Sequence, residues 1–225
     1  MKRKLFKTLL ISGLLILLLP LTTVVVLRKP NPKLLTNHQQ NQVFLPTEDG
    51  KALMGCVFLP AEQPKANIIF LHGIRGNYGH FYKTAQDFQQ RGYNCMLVNL
   101  RGHGNSGDLT TSYGFREKHD MNEIASFLAT KNDLPTGIWG TSLGGAVGLQ
   151  ALGEYPDEFA FGVIESTFTT LHEVVFDYFS KFTTIQNKNI SNWLINTAAT
   201  YTAFDPVAVQ PERSAKHIQC PVFMA

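Results

Sequence analysis

The stretch Gly137–Gly145, GIWGTSLGG, decides the fold that the rest of the sequence has to satisfy. Its serine, Ser142, stands between Gly140 and Gly144 at the spacing G-x-S-x-G, directly after a short apolar run. This spacing is typical of a tight turn from a strand into a helix, where a side chain at either glycine would collide with neighbouring backbone. Such a turn projects a hydroxyl into a cleft, so Ser142 is the candidate nucleophile of the sequence.

The segments around this turn alternate between apolar strands and helices. Strands are predicted at 66–71, 93–100, 137–140 and 159–164, and helices at 78–91, 117–131 and 143–155. Residues 42–60 contain two apolar stretches separated by Asp49-Gly50, which predicts an antiparallel hairpin. A further strand is expected to begin at Cys220. The alternation predicts an α/β fold with a mostly parallel sheet and helices on both faces.

The segment at about 167–205 interrupts this alternation. It is aromatic and amphipathic, with apolar residues from Phe168 to Phe204. Such a segment forms either additional core helices or a helical cap that contacts substrate over a cleft, and both alternatives stay open.

Two loops accompany the serine turn in a fixed order. His72-Gly73 follows the first of the buried strands, and Arg101-Gly102-His103-Gly104 follows the second. Together with the G-x-S-x-G turn, this order resembles the α/β-hydrolase superfamily over about residues 42–225. The closest likeness is to its monoglyceride-lipase and serine-aminopeptidase-like branch.

The resemblance implies a site for acyl transfer to water from an ester, thioester or amide. Ser142 matches the family nucleophile. The backbone amides of Ile74 and Leu143 match the two donors of the oxyanion hole, which stabilise the negative charge of the intermediate. No metal and no organic cofactor is implied, and a small acyl or lipid-like ester is the favoured substrate class.

The remaining polar residues near these motifs are expected to be structural. His72, Arg101 and His103 are expected to shape their loops through hydrogen bonds rather than to contact substrate. His119 and Asp120 fall on a predicted helix, and we expect them on its solvated face.

A serine needs a base, and the base needs a third group that fixes its tautomer. In this fold the acid follows the penultimate strand and the histidine follows the last. Residues 222–225 resemble that penultimate strand, so the sequence is expected to be C-terminally truncated, lacking the last strand and its helices. Glu165 and His172 are weak substitutes, and His217 precedes the strand. A serine hydrolase of esterase, lipase or aminopeptidase type is therefore the first hypothesis, and an inactive remnant or binding module the alternative.

Composition fits one globular domain and excludes several classes. The chain has 225 residues, 44% hydrophobic and 16% charged, with a net charge of +3. Seven basic residues precede the first acid, Glu48; without them 13 basic face 17 acidic residues, a balance of −4 that disfavours nucleic-acid binding. The three cysteines show no ligand spacing and are expected to be free thiols.

The N-terminal region differs from the rest. Residues 8–27, TLLISGLLILLLPLTTVVVL, carry no charge and at about 1.5 Å per residue would span roughly 30 Å. We expect a transmembrane anchor within 1–30, a linker at 31–41 and an incomplete hydrolase domain at 42–225. This predicts a single-pass membrane protein with the hydrolase domain on the extracytoplasmic side. The alternative is a cleaved signal peptide and secretion.

Overall fold

The computed structural model describes residues 41–106, 110–202 and 204–225. Seven strands form one sheet: β1 Gln42–Pro46, β2 Leu53–Leu59, β3 Ala66–Leu71, β4 Tyr93–Val98, β5 Thr136–Thr141, β6 Phe161–Glu165 and β7 Val222–Met224. Their spatial order is β1-β2-β4-β3-β5-β6-β7. The pairs β1–β2 and β2–β4 are antiparallel. The five strands β3 to β7 all run parallel to one another. The predicted hairpin and parallel sheet are confirmed.

Six helices connect the strands. They are α1 Tyr82–Gln90, α2 Glu117–Ala129, α3 Leu143–Glu154, α4 Leu171–Thr183, α5 Lys188–Thr202 and α6 Pro211–Ala215. A 3-10 turn precedes α1 at Tyr78–Phe81, and another precedes α6 at Pro206–Ala208. The helix expected at 78–91 therefore begins as a 3-10 turn. Gly92 follows α1 at φ +88°, a conformation that suits glycine after a helix.

Helices cover both faces of the central strands. In β3 alternate residues point to opposite faces, so Ile69 belongs to one core cluster with Ile124 of α2, and Phe70 to another with Phe81. All six residues of β3 are buried. Because a buried parallel strand holds its position rigidly, the loops that leave β3, β4, β5 and β6 are fixed together at one edge of the sheet.

The segment expected at 167–205 forms α4 and α5. Leu171, Ile195 and Phe204 bury themselves in a third cluster. Another set of its apolar side chains stays at the surface: Tyr178, Phe182, Ile185, Trp193 and Tyr201. The segment therefore supplies core and also presents an apolar outer face.

The helices of the structure contradict the predicted membrane location. No helix among the described residues is long and apolar enough to cross a bilayer. The longest, α5, has 15 residues, about 22 Å at ~1.5 Å each, whereas the hydrocarbon core is about 30 Å thick. The predicted anchor at 8–27 and the linker up to residue 40 lie outside the described residues. The predictions of a single-pass membrane protein and of an extracytoplasmic hydrolase domain are therefore wrong.

Candidate active site

The G-x-S-x-G turn joins β5 to α3. Ser142 has φ 52° and ψ −113°, a left-handed conformation that non-glycine residues rarely adopt. Its N–H donates to the carbonyl oxygen of Glu165 at 2.8 Å, and its own carbonyl accepts from Ala146 at 3.0 Å. The strained backbone is thus held from β6 on one side and from α3 on the other, which is how a serine is fixed at a strand-to-helix turn.

The two motif glycines allow this turn to pack. A Cβ at Gly140 would meet the carbonyl of Gly144, and a Cβ at Gly144 would meet the backbone carbonyl of Leu71. Both neighbours are backbone atoms that cannot move aside. A Cβ at Gly73 would lie 3.4 Å from Cβ of Ser142 and 3.9 Å from its Oγ. The His-Gly loop therefore lies directly against the serine.

The two amides expected to form the oxyanion hole belong to Ile74, which follows the glycine packed against Ser142, and to Leu143, the residue after the serine. Leu143 is the first residue of α3, where backbone N–H groups have no partner within the helix. Ile74 follows Gly73, and its side chain is 45% exposed. Within the described part of the chain, neither amide donates a hydrogen bond. An oxyanion hole requires two such N–H donors directed at one point.

His72 and His103 are buried and connect the two glycine loops. Nε2 of His72 lies 3.2 Å from the amide nitrogen of Leu100, and Nε2 of His103 lies 3.2 Å from that of Arg75. A backbone N–H can only donate, so both Nε2 atoms are acceptors and both rings are neutral. Burial lowers the pKa of His72 to about 3 and also lowers that of His103. The two rings shape loops, as the sequence suggested.

Arg101 is buried and bound to two carboxylates. Its Nε and Nη2 each lie 2.6 Å from an oxygen of Asp120, and its Nη1 lies 3.0 Å from Asp49. Burial alone would lower the pKa of Arg101, but the hydrogen bonds to Asp120 raise it above its ordinary value. The expected solvated position of Asp120 is therefore wrong. The i, i+4 spacing between Asp120 and the buried Ile124 was the signal that places it on the inner face of α2.

Glu117 is a second buried carboxylate that the sequence interpretation missed. Its side chain accepts from the amides of Ser112 at 2.7 Å and Gly114 at 2.8 Å, and from Thr111 Oγ1 at 3.1 Å. It fixes the loop that precedes α2. Glu117 stands four residues before Met121 of the apolar stripe, so its burial was also readable from helical spacing. His119, by contrast, is half-buried, with Nδ1 2.6 Å from the hydroxyl of Tyr155.

The suggested substitutes for the acid and base are not brought together. Glu165 ends β6 at the same sheet edge as Ser142, but no described hydrogen bond or ion pair joins its carboxylate to His172. Nε2 of His172 instead lies 3.2 Å from Oδ1 of Asn196 on α5. His217 is exposed and precedes β7, at the opposite edge. None of the histidines that the structure describes forms a hydrogen bond with Ser142.

A cavity of about 580 Å³ lies away from the serine. It is lined by residues of α5 and of the 3-10 turn that follows, together with Phe115. Ser142 does not line it. Across the described ranges, no three His, Cys, Asp or Glu side chains are grouped so that they could hold a metal ion.

The chain is similar in sequence to known proteins. A family model described as serine aminopeptidase, S33 (Hydrolase_4), matches residues 62–222. Protein YqkD of Bacillus subtilis, described as uncharacterized, is 33% identical over 119 residues, which cover 52% of this chain and 39% of that protein. A monoacylglycerol lipase of Mycolicibacterium smegmatis is 26% identical over 127 residues, which cover 53% of this chain and 44% of the lipase.

Solved structures share the architecture. The esterase Pf2001 of Pyrococcus furiosus superposes with a TM-score of 0.65 at 20% identity, covering 87% of this chain and 76% of the esterase. An acylaminoacyl peptidase of Pyrococcus horikoshii gives 0.59 at 21% identity, covering 82% and 31%. At such identities the likeness shows the fold alone, and it confirms the expected α/β-hydrolase fold. The chain spans about two fifths to a half of the length of the curated relatives it matches.

Proposed function

The chain belongs to the serine aminopeptidase S33 family of α/β hydrolases, and on this premise we propose that it is a serine hydrolase acting through an acyl-enzyme on Ser142. The observation that carries the proposal is the strained φ of Ser142 in a turn with the His-Gly loop packed against it. Strain of this kind persists only where the surrounding structure holds it, and it is concentrated at functional sites.

The reaction would proceed in two acyl transfers. Oγ of Ser142 attacks the carbonyl carbon of an ester, thioester or amide, its proton passes to a base, and the alcohol, thiol or amine leaves with a proton. Water then attacks the acyl-enzyme, and the carboxylic acid leaves as Ser142 regains its proton. In each step the amides of Ile74 and Leu143 would donate to the oxyanion. Preorganised donors of this type contribute roughly 3–4 kcal/mol each in well-studied hydrolases.

A small acyl or lipid-like ester is the substrate class we favour. The similarity to a monoacylglycerol lipase supports this choice. So do the exposed aromatic side chains on α4 and α5, because an apolar surface provides contact area for an acyl chain.

A fluorophosphonate probe, which phosphonylates nucleophilic serines, tests the proposal on the whole chain. We expect labelling of Ser142, mapped by mass spectrometry, and its loss in Ser142→Ala. Ser166→Ala is a matched control, because Ser166 is an exposed serine at the same sheet edge, one residue after β6. Equal labelling of the wild type and Ser142→Ala would refute the assignment.

A second candidate is a binding module that keeps the cleft without hydrolysis. It is favoured by one observation: no described histidine forms a hydrogen bond with Ser142, so the hydroxyl has no base among these residues. A short-chain nitrophenyl ester and its non-hydrolysable ether analogue separate the two candidates. Binding of the ether without turnover of the ester would favour the binding module, and turnover would exclude it.

A further inference from the structure

The segment that carries the candidate oxyanion amide, residues 73–78, follows β3 and His72. Ile74 and Arg75 are exposed, and Arg75 adopts φ +60°. A left-handed backbone is strained for a non-glycine residue, so the surroundings of the loop have to stabilise it. The short turn in which Gly76 N–H donates to Gly73 at 3.0 Å supplies one local contact. Two further hydrogen bonds come from the loop that follows β4.

Two side chains of the loop after β4 accept hydrogen bonds from backbone N–H groups of the segment. Nε2 of His103 lies 3.2 Å from the amide nitrogen of Arg75, and Oδ1 of Asn99 lies 2.7 Å from that of Tyr78. His103 is only 2% exposed, so water cannot easily take over its role. The two acceptors contact the segment three residues apart, and His103 acts at the peptide directly after Ile74.

The position of the His103 ring is itself fixed from behind. Its Nδ1 lies 2.9 Å from the carbonyl oxygen of Arg101, and this distance assigns the ring proton to Nδ1. The guanidinium of Arg101 is held in turn by Asp120. A continuous set of hydrogen bonds therefore runs from α2 through the second glycine loop to the peptide after Ile74.

We propose that His103 is a positioning residue, which holds the Ile74–Arg75 peptide through Nε2 so that the Ile74 amide faces the Ser142 position. This inference rests on the proposed function for its catalytic meaning. The contact itself can be tested without turnover. His103 does not touch substrate in this arrangement; it acts through the loop.

The test compares His103→Phe with His103→Gln. Phenylalanine keeps a buried ring without an acceptor, whereas glutamine can place an amide oxygen near the position of Nε2. Amide hydrogen exchange of the whole chain, followed by NMR, reports on the contact directly. We expect the Arg75 amide to exchange about tenfold faster in His103→Phe, the factor expected from loss of one hydrogen bond, and within about threefold of wild type in His103→Gln. The Tyr78 amide, which donates to Asn99, is the internal control and should not change.

Fluorophosphonate labelling of Ser142 reports on the catalytic meaning. We expect about tenfold slower labelling in His103→Phe and recovery in His103→Gln, because a displaced donor stabilises the oxyanion less well. Unchanged Arg75 exchange in His103→Phe would overturn the inference. Faster exchange of Arg75 and Tyr78 alike in both variants would also overturn it, since that result means general loosening. If wild type fails to label at all, the proposed function fails, and Arg75 exchange still decides the role of His103.

Discussion

The ion pair between Arg101 and Asp120 should be the most sensitive charged contact of the domain. Both side chains are 1% exposed, and two N–O distances of 2.6 Å join them. Replacing Asp120 by asparagine keeps the shape and one acceptor oxygen, but leaves a buried guanidinium without its main counter-charge. Breaking a buried pair in this way typically costs about 3–5 kcal/mol. Asp49, whose side chain is 18% exposed, compensates only in part. We therefore expect Asp120→Asn to lose about 3 kcal/mol of unfolding free energy.

Urea denaturation followed by circular dichroism measures this loss. The matched control is Glu154→Gln, which breaks the pair between Lys118 and Glu154 at 2.8 Å on the surface. Because Glu154 is 44% exposed, solvent screens that pair, and its removal should cost well under ~1 kcal/mol. Replacing both buried partners, Arg101→Met with Asp120→Leu, should be less harmful than Asp120→Asn alone, because the charge then left without its partner is Asp49, whose side chain is 18% exposed, rather than a buried guanidinium.

Two results would refute this reasoning. The first is a loss for Asp120→Asn no larger than that for Glu154→Gln. The second is a double variant that loses the sum of its two single losses, which would mean that the two side chains act independently.

Other predictions address packing, pH and thiol chemistry. Gly144→Ala would press a methyl group into the backbone of β3, and we expect it to lose ~3 kcal/mol of unfolding free energy in urea denaturation. The control Gly50→Ala has open space around it and should lose only ~1 kcal/mol, because of its positive φ. Equal losses in the two variants would contradict the packing argument. Burial lowers the pKa of His72 to about 3, so the unfolded state binds the extra proton first and stability should fall as the pH drops from about 6.5 toward 3, by up to ~1.4 kcal/mol per unit. His72→Gln should flatten that profile in urea titrations at several pH values, and an unchanged slope would argue against it. Burial raises the pKa of the Cys95 thiol to about 12, so iodoacetamide should modify Cys220 before Cys95 in the native protein. In urea it should modify both cysteines, and mass spectrometry measures the two sites separately. Modification of Cys95 before Cys220 in the native protein would contradict the burial of Cys95.

Much of the fold could be predicted from local pattern. The apolar runs and glycine punctuation located the central strands and α3, because a buried parallel strand and a glycine-flanked turn each require particular residues at short range. The order of strands in space could not be obtained in this way. Pairing such as Asn67 with Thr136 joins residues far apart in the sequence, and no local signal encodes it.

The site was predictable in its backbone elements and less so in its polar partners. The turn could be predicted from Gly140, Ser142 and Gly144, because its geometry allows only glycine at the two flanking positions. The partner of Arg101 was missed because a carboxylate on a helix is usually solvated, and only the three-dimensional position of the guanidinium makes burial of Asp120 favourable. The membrane prediction rested on the apolar run at residues 8–27 alone, and no helix among the described residues is long and apolar enough to cross a bilayer.

The supports of the serine turn also fix the moment at which it can form during synthesis. Gly144 packs on the backbone of Leu71, and the Ser142 amide is bound by Glu165, which leaves the ribosome 23 residues after the serine. Until β6 has emerged and paired with β5, the Ser142 amide lacks its acceptor, and only the contacts with α3 and β3 support the left-handed backbone. We therefore expect the strained conformation of Ser142 to be complete only when the centre of the sheet has assembled.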